Sequence, residues 1–483
     1  MNDELLPLSF DPVSNGEYLP PAKSAQDHAA EKRIHRIAEK NAARTGVSRR
    51  TFLAGACGVA ASLSTINEIY GAEGGGSYAI QPEMLLDPSA AAQAVEGKEF
   101  IFDIQSHHVM PDGEWKTKDP GMAQLLRFME GGRRGQKDAL QGLSRFFYAK
   151  EIFLDSDTSV AVLSALPAVP EKNPLSDRDA AETRAILDRL GKSKRLHIHG
   201  LVTPNVDPLE AQLDGMERLA NEVKIAAWKV YTPWGPDRKG FWLDDEKVGI
   251  PFIEKALKLG IKVICCHKGV PLPFLPAKTY ELPVDVGRVA KRFPDMNFIV
   301  YHSGYDPGRV EGPYDPGKAD RGVDCLIKSL EDNGIKPNSN VYAELGTTWW
   351  ILMKKPAQAA HVIGKLLKHV GEDRVVWGTD SIWYGTPQPQ IEAFRAFEIS
   401  EELREKHGYP ALTKEIKAKI FGLNAAVPYK VDPKELRQAL PKDEVEKLKQ
   451  AYRENPHRTY ATYGPKTRRE FVNLLRSHDG RPA

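Results

Sequence analysis

Eight short apolar runs, each ending in polar residues and each followed by a helix-like stretch, constrain this chain more than any other feature. They are EFIFDIQSHH (99–108), TSVAVLSALP (158–167), KRLHIHGLVTP (194–204), KIAAWKVYTP (224–233), IKVICCHKGV (261–270), NFIVYHSG (297–304), NVYAELGTT (340–348) and RVVWGTDS (374–381). Between them lie amphipathic stretches such as DRDAAETRAILDRLG and AQAAHVIGKLLKHVG, closing in Gly as helix C-termini often do. Near-continuous apolar strands alternating with helices predict a parallel sheet covered on both faces. Eight such units predict an α/β fold closed as a (β/α)8 TIM barrel. A doubly wound open sheet would want a G-x-G-x-x-G turn after the first strand, and none is there.

The barrel expected over 95–428 does not use the whole chain of 483 residues. Residues 1–47 are polar and show no hydrophobic period. SRRTFLAGACGVAASLSTI (48–66) then sets Ser48, Arg49, Arg50, Phe52 and Leu53 before an Ala- and Gly-rich apolar stretch. This resembles a twin-arginine export signal. Residues 1–75 are therefore expected to be that signal and a flexible leader, with 1–72 dispensable for folding, and the protein is expected in the periplasm or otherwise exported. Residues 429–483 are expected to add a helical extension and a basic tail.

Net charge is only +2, and no compact basic stripe suggests nucleic acid. No apolar run is long enough to span a bilayer, so no stable membrane anchor is expected after export. Cys57, Cys265, Cys266 and Cys325 do not read as a disulfide framework. Adjacent Cys265 and Cys266 on one strand point to opposite faces.

In a TIM barrel the chemistry sits at the C-terminal ends of the strands. Here those ends carry His107 and His108, Lys229, His267, His302, Glu344 and Asp380. A lone histidine is usually structural, but several strand ends bearing His or Asp in one barrel point to a metal site. Trp349, Trp350, Trp383 and Tyr384 lie close by in sequence. Trp349 and Trp383 are expected to line the substrate site, with Lys229 as a carboxylate binder. The loop after the first strand (109–157) reads as a lid or substrate wall. The Gly/Pro-rich loop after the sixth, GYDPGRVEGPYDPGKADRG, is expected to be mobile.

FDIQSHHVMP, VICCHKG, IVYHSG and above all VVWGTDS resemble the amidohydrolase superfamily, in the amidohydrolase-related branch that includes aminocarboxymuconate-semialdehyde decarboxylase and γ-resorcylate decarboxylase. IFGLNAAVPY resembles that family's closing segment. The resemblance implies one divalent metal, zinc or else manganese, held by Gln105, His107, His267 and Asp380. It places His302 beside the metal-bound water or substrate. Gln105 departs from the family, where His or Glu is usual, and offers only a neutral carbonyl oxygen. A rival register makes Ser106 and His108 the first-strand pair. A carboxylated Lys229 bridging two metals is a further alternative.

In these roles Asp380 shuttles the proton of a metal-activated water and His302 polarises a carbonyl. The leading expectation is a metal-dependent hydrolase of an ester, lactone or amide. The alternative is a non-oxidative decarboxylase of a cyclic or aromatic acid, and a barrel that has lost its metal is a third. The partner expected is a small-molecule substrate, in a homo-oligomeric protein.

Overall fold

The computed structural model describes residues 6–10, 23–71, 75–130, 135–236, 239–270, 278–454 and, singly, 456, 469 and 472. The basic tail falls almost wholly outside these residues, as do 131–134 of the loop after the first strand. Eight parallel strands follow one another in a single sheet. They are β1 Phe102–Ser106, β2 Val160–Leu163, β3 Leu196–Leu201, β4 Ala227–Tyr231, β5 Val263–His267, β6 Asn297–Tyr301, β7 Val341–Glu344 and β8 Val375–Val376. The sheet closes on itself: Ile104 N donates to Trp377 O at 3.1 Å and Asp380 N to Gln105 O at 2.9 Å. This is the (β/α)8 barrel, with each strand where an apolar run lies.

The strands are apolar throughout because both faces are buried. On β5, Val263 and Cys265 face the barrel interior, while Ile264 and Cys266 face the surrounding helices. All four cysteines are free and buried. The interior floor is closed by Ala425, Ala426 and Tyr429 against Phe102, Val263, Ile299 and Tyr342. The segment resembling the family's closing motif is thus a plug for the barrel.

The loop after β6 is tied down at its stem. Arg309 Nη1 donates to Lys318 O and Arg321 O at 2.6 and 2.7 Å. Lys365 Nζ, wholly buried, reaches Glu311 and Asp324 at 2.6 Å each. Paired buried charges of this kind are costly to break, so the loop is held at its stem.

The N-terminal region differs too. Ala25–Thr45 is a helix with a Ser24/Asp27 capping box, followed by helices Arg49–Ala54 and Ala56–Tyr70. Ala30, Ile34, Ala38 and Ala42 form a buried stripe at four-residue spacing. Alanine is too weakly apolar to make that period stand out in sequence. Gly58 packs against the turn between the last two helices: a Cβ there would stand 2.5 Å from Leu53 O. Among the described residues no helix is long and apolar enough to cross a membrane. Beyond the barrel, helices Pro433–Ala439 and Glu444–Arg453 follow.

Candidate active site at the C-terminal mouth of the barrel

β1 sets the site through an irregularity. Its register with β2 shifts between Asp103 and Ser106. Ile104 belongs to the interior cluster. Yet Gln105 also faces inward, its Nε2 donating to Asp380 Oδ1 at 3.0 Å. A bulge of this kind re-aims the side chains that follow it. Ser106 then points outward to Tyr148 and Val162 O, and His107 inward. His108 lies outside the barrel wall, with Nε2 3.1 Å from Thr183 Oγ1. The rival register of Ser106 and His108 therefore has no counterpart in the geometry. Asp103 clamps the seam by accepting from Gln105 N, Thr379 N and Thr379 Oγ1. Burial raises its carboxyl to about 7.

His107 Nδ1 lies 2.9 Å from Ser164 O, and a carbonyl can only accept, so that nitrogen carries the ring proton. Its Nε2 stands 3.1 Å from Asp380 Oδ1. A neutral imidazole would set a lone pair against a carboxylate there. Only a proton on Nε2, or a cation shared by both groups, makes the contact attractive. Asp380 Oδ2 accepts from Thr347 Oγ1 at 2.6 Å, and Thr347 in turn meets Tyr384 OH at 2.9 Å. Burial pushes the Asp380 carboxyl up, but the hydrogen bond and charge of His107 and the charge of His302 hold it below the usual carboxylate range.

His302 is fixed in the same way. Its Nδ1 donates to Gly346 O at 2.7 Å. Its Nε2 is buried with no hydrogen-bond partner. Burial lowers its pKa to about 4, so the ring is neutral at pH 7. Nε2 is then a bare lone pair that cannot donate to a carbonyl or an oxyanion. The polarising role expected from sequence does not suit it; accepting a proton or ligating a cation does. Glu344, named among the strand ends but given no role, braces this corner by accepting from His302 N at 3.0 Å and from Gly346 N. Burial raises it to about 8. His267 packs edge-on against His302, ring centroids 4.7 Å apart.

Lys229 lies on β4, fully buried, its Nζ without a hydrogen-bond partner. It sits 3.3 Å above the Tyr301 ring and 4.7 Å from that of Tyr231. Burial lowers its pKa to about 8. Trp383 lies along His107, centroids 5.6 Å apart and 26° from parallel. Trp350 stacks on Tyr384 at 4.9 Å. Trp349, expected to line the site, packs instead on Phe394 and Phe397 in the outer core, its Nε1 donating to Gln390 O. Its neighbour Trp350 takes the place beside the site.

The sequence residues thus gather as Gln105, His107 and Asp380, with His267 and His302 adjoining and Lys229 below. Thr347 and Ser164 were missed, because nothing in a single sequence distinguishes a hydroxyl or a carbonyl that orients another group. His302, Thr347 and Asp380 also share positive φ, 63°, 55° and 58°. Such backbone is uncommon outside glycine and clusters at functional sites.

Among the described residues no three His, Cys, Asp or Glu side chains converge into a preformed metal cage. The donors nevertheless suit a divalent cation. The Oε1 of Gln105 is buried without a hydrogen-bond partner, and His107 opposes a carboxylate.

A barrel with this mouth defines an enzyme of the amidohydrolase type. The amidohydrolase family model matches residues 153–431, and the chain belongs to that family. The match begins beyond β1, so Gln105 and His107 lie outside it. Among solved structures, 2,6-dihydroxybenzoate decarboxylase from Rhizobium is 17% identical, with a TM-score of 0.40 over 69% of this chain and 99% of that one. Dihydroxybenzoic acid decarboxylase from Polaromonas sp. JS666, solved with manganese and 2-nitroresorcinol, is 16% identical, with a TM-score of 0.41 over 69% and 97%. 4-Oxalomesaconate hydratase from Rhodopseudomonas palustris is 17% identical, with a TM-score of 0.39 over 71% and 98%. No curated protein matches the sequence.

Proposed function

We propose that this amidohydrolase-family enzyme is a metal-dependent carboxy-lyase that decarboxylates a flat cyclic or aromatic acid. The observation that carries the reading is Lys229: a buried ammonium under the site with no hydrogen-bond partner. An unpaired buried cation is costly, and a bound carboxylate offsets that cost. Trp383 and the Trp350–Tyr384 stack supply flat walls suited to a ring.

His107, His267 and Asp380 would hold one divalent ion, with Gln105 Oε1 as a weak fourth donor. Zinc and manganese both suit this set, and the oxygen donors lean toward manganese. When bound, the ion supplies an electrophile that stabilises negative charge building on the substrate. Lys229 anchors the carboxylate, and Trp383 holds the ring in plane. Asp380 keeps one oxygen on Thr347, which is also held by Tyr384, so a proton can pass through that hydroxyl pair. His302 Nε2 takes up a proton from a substrate hydroxyl and returns it to the ring carbon as the bond to the carboxylate breaks and carbon dioxide leaves.

Hydrolysis of an ester, lactone or amide is the second reading. It is favoured by the juxtaposition of Asp380 and His302, two acceptors able to deprotonate a water. Incubating the metal-loaded protein with hydroxylated benzoates and with lactones separates the two. Carbon dioxide released from the acids supports the first reading; lactone opening without it supports the second.

A further inference from the structure

We infer that residues 24–79 are a permanent part of the working enzyme that positions the loop after β7, rather than a leader removed on export. This rests on the geometry of the site, whichever reaction it performs.

Ala56–Tyr70 would be the apolar core of the export signal, yet it is built into the molecule. Val59, Ala60, Ala61, Leu63 and Ile66 are all buried. The helix Ala25–Thr45 lies against it, joined by Tyr70 OH donating to Asp27 Oδ1 at 2.6 Å. Asn67 holds both backbone groups of Tyr78, at 2.7 and 2.8 Å. Gly76–Tyr78 then pairs antiparallel with Phe397–Ile399. Arg49 and Arg50 lie in an exposed run, 43–51. The two arginines therefore stay readable on the surface while Phe52 and Leu53 are buried.

This annex grips one short stretch, 353–356. Tyr78, itself buried, donates its hydroxyl to Met353 O. Gly76 lies so close that a Cβ on it would stand 2.0 Å from Pro356 O. That stretch ends the helix Thr348–Leu352, whose preceding turn carries the site. Gly346 O fixes the His302 tautomer and Thr347 holds Asp380. Trp350 of the same helix stacks on Tyr384. The annex thus clamps one end of a two-turn unit whose other end orients His302 and Asp380. Tyr78 is its positioning residue.

The test uses the full chain. Tyr78→Phe removes one hydrogen bond and leaves the ring packed on Phe397. Amide hydrogen exchange across 346–353, followed by mass spectrometry, should become about fivefold faster, the fold-change for one lost net hydrogen bond. Leu187→Ala, in the helix after β2, lowers overall stability and should leave local exchange at 346–353 unchanged. The intact mass of the protein purified from the compartment where it accumulates should include residues 24–79. Exchange at 346–353 as slow in Tyr78→Phe as in the parent would overturn the inference. So would a mature chain that starts beyond residue 79.

Discussion

Lys229 Nζ rests 3.3 Å above the ring of Tyr301, a fully buried cation facing an aromatic and without a hydrogen-bond partner. Lys229→Met should therefore act in opposite directions on stability and on binding. Removing an unpaired buried charge raises the melting temperature of the substrate-free protein. Losing the charged anchor raises KM for a carboxylate substrate roughly 30-fold, for about 2 kcal/mol of a charge-assisted hydrogen bond. A melting curve and a substrate titration check both halves. A fall in stability would mean that the ammonium is satisfied within the protein.

Gln105 contributes one amide to Asp380 and leaves its carbonyl oxygen unpartnered. Imidazole binds zinc more firmly than a neutral carbonyl does. Gln105→His should bind zinc more tightly than the parent, and Gln105→Ala should lose little metal. Competition with a chromophoric chelator reads both affinities.

His302→Ala should keep the metal and lose activity by about 10²- to 10⁴-fold, the usual scale of a lost proton acceptor. Loss of metal together with activity would make His302 a ligand instead.

Stability in acid depends on Asp157. Burial pushes its carboxyl up, but Arg395 and Lys449 hold it down at about 2, against an ordinary 3.8. Arg395 Nη1 reaches it at 2.7 Å and Arg453 Nη2 at 2.9 Å. A lowered carboxylate pKa stabilises the fold fully above 3.8 and loses that stabilisation as pH falls toward about 2. The stabilisation is about 2 kcal/mol. Urea titrations across that window should show a shallower decline in Asp157→Asn than in the parent.

The barrel was legible because each strand is buried on both faces, which writes an uninterrupted apolar run into the sequence. His107, His267, His302 and Asp380 were legible because each ends such a run. The bulge in β1 was not. Two registers remained open until the structure turned Ser106 and His108 outward, since only backbone pairing decides which side a residue takes. The role of His302 was misread because its tautomer depends on Gly346 O, a carbonyl 44 residues away. The N-terminal helices escaped notice because their buried stripe is mostly alanine. Trp349 and Trp350 are adjacent and chemically alike, so only the helix direction tells which one reaches the site.

We propose that the segments following β1 and β8 share one divalent cation through His107 and Asp380. Metal content of the purified parent, His107→Ala and His108→Ala proteins, measured by elemental analysis after dialysis, tests it most directly. About one equivalent in the parent and in His108→Ala, with nearly none in His107→Ala, is the result predicted, since Asp380 alone would face a cation without its imidazole partner. Full metal content in His107→Ala, or its loss in His108→Ala, would contradict the account.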